Sequence, residues 1–248
     1  MIIDTLVNDE IAVSIHESRG SKKLFVLLPG FLDSKDYAGL VGLANDLQGV
    51  GWTVIRVDSF GTWKSKGAIG DYSTTRRLQD VDLVIDFAKK VYGTEQIFVG
   101  GHSMGGRVAM LYAGRHLGVA AVIVIMSGAL SSMAVRWEKG KAKSSSRDLP
   151  ENPKLSREFV VPYSFAEDAL QYNAIEDIPR IKVPILFIAG EQDTLISPEK
   201  IKAGYLAANE PKKFVIIPDV GHDYRHEPAQ IPLVSHEVLK FLREQKFI

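Results

Sequence analysis

The chain has 248 residues, 46% of them hydrophobic, and its 30 basic side chains balance 30 acidic ones. With a sequence pI near 7.0 it carries no long-range positive field to attract nucleic acid or an anionic membrane, so a small, roughly neutral molecule is the expected partner. The chain holds no cysteine, which excludes disulfides, thiolate metal sites and a cysteine nucleophile together; any nucleophile is then an oxygen. The length suits one α/β domain carrying an insertion. At the N-terminus Asp4, Asp9 and Glu10 occupy positions where an export signal needs a basic flank and an unbroken apolar stretch. The longest apolar run, VAAVIVIM at 119–126, falls short of the roughly 20 residues that span a bilayer. The expectation is a soluble cytoplasmic protein, monomeric or homodimeric.

In chain order, residues 1–8 and 11–18 alternate around Asn8-Asp9-Glu10 and are expected to pair antiparallel through a short turn. KLFVLLPG, WTVIRVDS, QIFVGGHS, VAAVIVIMS, VPILFIAG and KKFVIIPD follow as short, nearly continuous apolar runs, the pattern of strands covered on both faces. Helical segments separate most of them. The clearest, 74–92, repeats Leu78, Val81, Ile85, Ala88 and Tyr92 behind a Ser73 or Thr74 cap. The last places Ile231, Val234, Val238 and Phe241 on one face. Alternating strands and helices imply a mainly parallel sheet sandwiched by helices, with ligands at the carboxyl ends of the strands. Residues 129–178 break the alternation and read as an insertion. Their Lys- and Ser-rich stretch, WEKGKAKSSSRDLPENPK, is expected to be a solvated, mobile tip. The aromatics Trp137, Phe159, Tyr163, Phe165 and Tyr172 either line an acyl or aryl pocket or form the insertion's own small core.

The stretch carrying chemistry is VGGHSMGGRVAM at 99–110, where Gly101, Ser103 and Gly105 form G-x-S-x-G between an apolar strand and a helix. A serine forced into so sharp a turn has strained backbone angles, and the glycines on either side avoid clashes there. The first amides of the next helix, Met104 foremost, face an oxygen bound at the turn and favour negative charge. Here the sequence resembles the α/β-hydrolase family over nearly its full length. GHSMGG resembles that family's nucleophile elbow, with Ser103 as nucleophile; AGEQDTLISP resembles the segment supplying the acid, matching Asp193; IPDVGHDY resembles the segment supplying the catalytic histidine, matching His222. The resemblance implies a mainly parallel eight-stranded sheet flanked by helices, a core over 1–128 and 179–248, and a lid over 129–178 after the sixth strand. It also implies that Phe31, after Gly30 in PGFLDS, gives the second oxyanion amide beside Met104.

Chemistry agrees with that order of residues. A serine hydroxyl needs an imidazole to take its proton, and the imidazole needs a carboxylate to orient it. Asp219, Asp223 and His226 are local rivals of Asp193 and His222, while His102 is expected to pack or hydrogen bond beneath the elbow. Two positions depart from the family's pattern: Pro29 where many relatives have histidine, and Trp63 where a glycine is common in FGTWKSKG. Trp63, Trp137, Tyr163 and Tyr172 are the candidate pocket residues. Lid placement and GHDYRHEPAQ resemble bacterial cinnamoyl and feruloyl esterases, which implies hydrolysis of a small-molecule carboxylic ester without metal or organic cofactor. Thioesterase or acyltransferase chemistry on the same triad, and a slow-turnover ligand-binding receptor, are the alternatives.

Overall fold

Asn8 and Asp9 both adopt left-handed backbone angles (φ 51° and 56°), the turn that short polar residues allow and that closes a tight hairpin. They join β1 (Ile2–Val7) to β2 (Ile11–His16) in antiparallel register. In this computed structural model, which describes residues 1–130 and 137–248, the chain continues through β3 (Lys23–Leu28), α1 (Ala38–Gly49), β4 (Thr53–Val57), α2 (Thr74–Tyr92), β5 (Gln96–His102), α3 (Met104–Arg115) and β6 (Val119–Ile125). The insertion contributes β7 (Lys143–Leu149), β8 (Asn152–Val161), α4 (Ser164–Ala169) and α5 (Ala174–Asp177). The alternation then resumes with β9 (Ile185–Gly190), α6 (Pro198–Ala207), β10 (Lys212–Ile217) and α7 (Ile231–Glu244).

Eight of the described strands form one sheet in the order β1-β2-β4-β3-β5-β6-β9-β10, parallel from β4 to β10. The helices α1 and α7 bury Leu43, Leu47, Val238 and Phe241 on one face, and α2, α3 and α6 bury Val81, Ile85, Val108 and Ile201 on the other. This is the α/β-hydrolase architecture. The α2 boundaries follow from its ends: Ser73 Oγ accepts from Arg76 N at 3.0 Å, and Gly93 closes the helix in the left-handed conformation at φ 60°. One strand departs from expectation. Lys212–Ile217 is apolar enough to read as covered on both faces, yet it lies at the sheet edge, where Ile216 is 47% exposed.

The Lys- and Ser-rich stretch also departs from expectation. Rather than a mobile tip, Lys143–Leu149 pairs with Asn152–Val161 as an antiparallel hairpin, Lys143 opposite Val161 and Ser145 opposite Phe159. The apolar side chains that hold it belong to the partner strand, so composition alone did not announce a strand. Phe159, Val161, Phe165 and Trp137 join Leu32, Tyr72 and Met104 in a buried cluster between the insertion and the carboxyl ends of the sheet. Among the described residues, no helix is long and apolar enough to cross a membrane.

Candidate active site

The strand β5 ends in a turn too tight for side chains at its glycines. A Cβ on Gly101 would stand 2.3 Å from Leu28 O, and one on Gly105 would stand 2.2 Å from Leu28 O and 2.6 Å from Pro29 O. Between them Ser103 takes φ 51° and ψ −121°, a strained combination for a residue with a Cβ, held by its N–H donating to Ile125 O at 2.8 Å. Gly105→Ala is therefore expected to cost about 3 kcal/mol by overpacking, whereas Gly49→Ala, at the open end of α1, meets nothing within 4 Å and should leave stability nearly unchanged. Urea denaturation checks this; equal midpoints for the two variants would contradict the steric argument.

Three loops meet at this serine. Asp193 follows β9 and is 3% exposed; its Oδ1 accepts from the amides of Leu195 (2.9 Å) and Ile196 (2.7 Å), which fixes the carboxylate. Its Oδ2 takes the Nδ1–H of His222 at 2.7 Å, and His222 Nε2 lies 3.0 Å from Ser103 Oγ. One imidazole thus bridges the hydroxyl and the carboxylate, although they are 90 positions apart in the sequence. The local rivals lie elsewhere: Asp219 accepts from Gln192, Asp223 pairs with Arg225, and the His226 imidazole approaches Asp148 at 3.9 Å.

Met104 opens α3, so its N–H has no intrahelical acceptor. Gly30 brings the Phe31 backbone against the elbow, since a Cβ there would meet Ser103 Cβ at 3.4 Å and the Asp33 carboxylate at 2.3 Å. No described protein group accepts from either the Phe31 or the Met104 amide. The loop carrying Phe31 is braced without the histidine that Pro29 replaces. Arg77 donates to Pro29 O at 2.5 Å, Arg147 to Phe31 O at 2.9 Å and Trp63 Nε1 to Leu32 O at 2.8 Å, and Leu32 N donates to Tyr72 Oη at 3.1 Å. Further along, Asp58 Oδ1 accepts from Lys35 N at 2.7 Å, and burial pushes the Asp58 carboxyl up to about 6.

His102 gives its Nε2–H to the backbone carbonyl of His222 at 3.0 Å, with burial pushing its pKa down. It thereby ties the elbow to the loop bearing the other histidine. Its Nδ1 stands 3.7 Å from Asp33, whose other carboxylate oxygen is 3.2 Å from Arg147 of β7. A polar chain thus runs from the insertion to the histidine loop. Sequence reading missed Asp33 and Arg147; a charged residue in a stretch of alternating polar side chains carries no mark of the face it presents.

A cavity of about 290 Å³ opens over Ser103 and His222, lined also by Phe31, Trp137, Arg147, Leu195 and Ile196. Of the four candidate pocket residues only Trp137 lines it. Trp63 instead sets its ring edge against Tyr37 and Phe159, with Nε1 on the Leu32 carbonyl. Tyr163 stands at the start of α4, half-buried against the insertion's cluster. The Tyr172 hydroxyl lies 2.6 Å from Thr75 Oγ1, at the seam with α2. These three rings fill the junction between insertion and core, which removes them from the cavity.

The model of the family described as serine aminopeptidase, S33, matches residues 19–153, more than half of the sequence. The chain belongs to this hydrolase family. Among curated proteins it is similar to the mitochondrial palmitoyl-protein thioesterase ABHD10 of Rattus norvegicus, 24% identical over 186 residues, covering 72% of this chain and 61% of that protein. It is also similar to proline iminopeptidase of Saccharolobus solfataricus, 32% identical over 126 residues, covering 50% of this chain and 38% of that one. The chain therefore spans less than two thirds of either relative's length. Among solved structures, Est1E from Butyrivibrio proteoclasticus with ferulic acid bound superposes with a TM-score of 0.79 at 22% identity, covering 99% of this chain and 100% of that one. Paleococcus ferrophilus monoacylglycerol lipase gives 0.76 at 20% identity, covering 94% and 98%. At such identities these likenesses establish the α/β-hydrolase fold.

Proposed function

We propose that this chain is a serine hydrolase that cleaves small-molecule carboxylic esters through an acyl-serine intermediate. The observation that carries the reading is the single His222 ring hydrogen-bonded at Nδ1 to Asp193 and lying 3.0 Å at Nε2 from Ser103 Oγ. Ser103 attacks the ester carbonyl while His222 takes its proton; Asp193 holds the imidazole's tautomer and stabilises the imidazolium. The Phe31 and Met104 amides receive the oxyanion, an interaction for which each donor typically contributes about 2.7–4 kcal/mol. His222 then protonates the departing alkoxide, and water repeats the sequence in reverse on the acyl-enzyme.

Esters are preferred over peptides with a free amino end on electrostatic grounds. An α-ammonium group needs an unengaged carboxylate, yet the two acids lining the cavity are already bridged, Asp33 to Arg147 and Asp223 to Arg225. Similarity to the rat palmitoyl-protein thioesterase supports a second reading, in which the same residues act on a thioester. A series of p-nitrophenyl esters from acetate to long acyl chains, methyl ferulate and a matched thioester, each with wild type and Ser103→Ala, separates these. Ester turnover lost in the variant supports the proposal. Turnover of the thioester alone favours the second reading, and no turnover of any of them favours a ligand-binding receptor.

A further inference from the structure

A second, smaller recess of about 50 Å³ also borders Ser103, lined by Met104, Ser127 and Arg107 among others. Arg107 lies four residues past Ser103, one turn into α3, so its side chain shares a helix face with the elbow. It is only 7% exposed. Its Nη2 donates to the backbone carbonyl of Tyr172 at 2.5 Å, while its buried Nε has no hydrogen-bond partner among the described residues. Burial alone pushes the guanidinium down to about 10, with no carboxylate acting against it. Residues 131–136, next to the recess in sequence, contain neither Asp nor Glu.

Lys35 and Arg56 are paired with Asp36 and Arg225 with Asp148. Among the described residues, buried Arg77 has no ion pair but donates from its Nη atoms to Tyr72 Oη and Pro29 O, whereas Arg107 keeps a buried Nε without a partner beside the reacting serine. An isolated buried charge is costly, and fold stability is better served by an apolar side chain of similar volume. A guanidinium kept in a recess that opens on the reacting serine has an evident use when an anion arrives with the substrate. Its planar fork matches a carboxylate, and the partly desolvated setting strengthens the pairing.

Building on the ester-cleaving reading, we propose that Arg107 is the anion-recognising residue of the substrate site. The ester cleaved carries a carboxylate on the smaller of its two halves, seated in the Arg107 recess, while the larger half occupies the cavity under Trp137. The carboxylate takes no part in bond making or breaking; it orients the carbonyl over Ser103.

The test compares monobenzyl succinate and monobenzyl glutarate with their primary amides, which keep the shape and remove the charge, by chromatography of released benzyl alcohol. For wild type, kcat/KM should favour the acids by about thirtyfold or more, as for other buried charge pairs. Arg107→Met should bring that ratio near one, and Arg107→Lys should retain part of it. Should Arg107→Met fail to fold, Arg107→Gln, which still can donate to Tyr172 O, reads the same ratio. A wild-type ratio of one or below, or a preference that survives loss of the guanidinium, overturns the anion site, while turnover of the amides keeps the ester reading intact. If neither ester is turned over, the p-nitrophenyl series decides the ester reading and calorimetry decides the site separately. Binding of monobenzyl glutarate to Ser103→Ala that weakens about thirtyfold in Ser103→Ala/Arg107→Met supports it; equal binding overturns it.

Discussion

Ser103→Ala and His222→Ala are each expected to lower ester turnover by about 10⁶-fold in kcat, and the double variant to lose little more than either alone. The reason is in the geometry. In the proposed mechanism the hydroxyl becomes nucleophilic only as its proton moves to His222 Nε2, 3.0 Å away, and the imidazole has no other proton to take at that step. Removing either partner abolishes the same event, so the second substitution finds nothing left to remove. On the proposed mechanism, the residual rate is left to the Phe31 and Met104 amides and to substrate binding. Neither substitution should unfold the chain. The Asp193 carboxylate keeps its two amide donors in both, and Ser103 fills no cavity in the core. Thermal denaturation alongside single-turnover kinetics checks both halves, and multiplicative losses in the double variant would contradict the assigned unit.

Asp193→Asn is expected to lower kcat by about 10⁴-fold while leaving the fold intact. The two amides of Leu195 and Ile196 decide how the new side chain sits. Both donate to Oδ1, so the asparagine must place its carbonyl oxygen there and turn its NH₂ toward His222 Nδ1. An NH₂ donor facing Nδ1 makes that nitrogen an acceptor and moves the ring proton to Nε2, the nitrogen that has to accept from Ser103. The loss therefore comes from the wrong tautomer rather than from a displaced ring. Kinetics on an ester turned over by the wild type, with circular dichroism to verify folding, measures it. Activity within tenfold of wild type would show that the carboxylate does not set the tautomer.

These expectations rest on features of unequal visibility in the sequence. The G-x-S-x-G turn was legible because the steric demand is local: Gly101 and Gly105 face backbone oxygens that no Cβ could approach, and the strand and helix on either side announce themselves by periodicity. The positions of Asp193 and His222 were legible as ends of apolar runs. That they could meet above the sheet was an expectation from their places after parallel strands and from the resemblance, while the distances between them depend on β9 lying beside β6 and β10 beside β9. Trp63, Tyr163 and Tyr172 were candidates for the pocket because aromatic rings in and around an insertion suit either a ligand or a seam. Only packing distinguishes the two, and it sends these three to the seam.

By itself the sequence determined what is local: the hairpin at Asn8-Asp9, the Ser73 cap, the order of strands and helices, the elbow and the residue types able to move a proton. The tertiary structure alone decided which face each polar side chain presents. Lys143, Ser145 and Arg147 turn toward the cavity because Phe159 and Val161 on the opposite strand anchor the hairpin, and among the described residues no acid folds against Arg107. Apolar periodicity reports burial, which the hydrophobic effect imposes on every element alike. The partner of a charge is set by long-range register and loop packing, and no spacing along the chain encodes that.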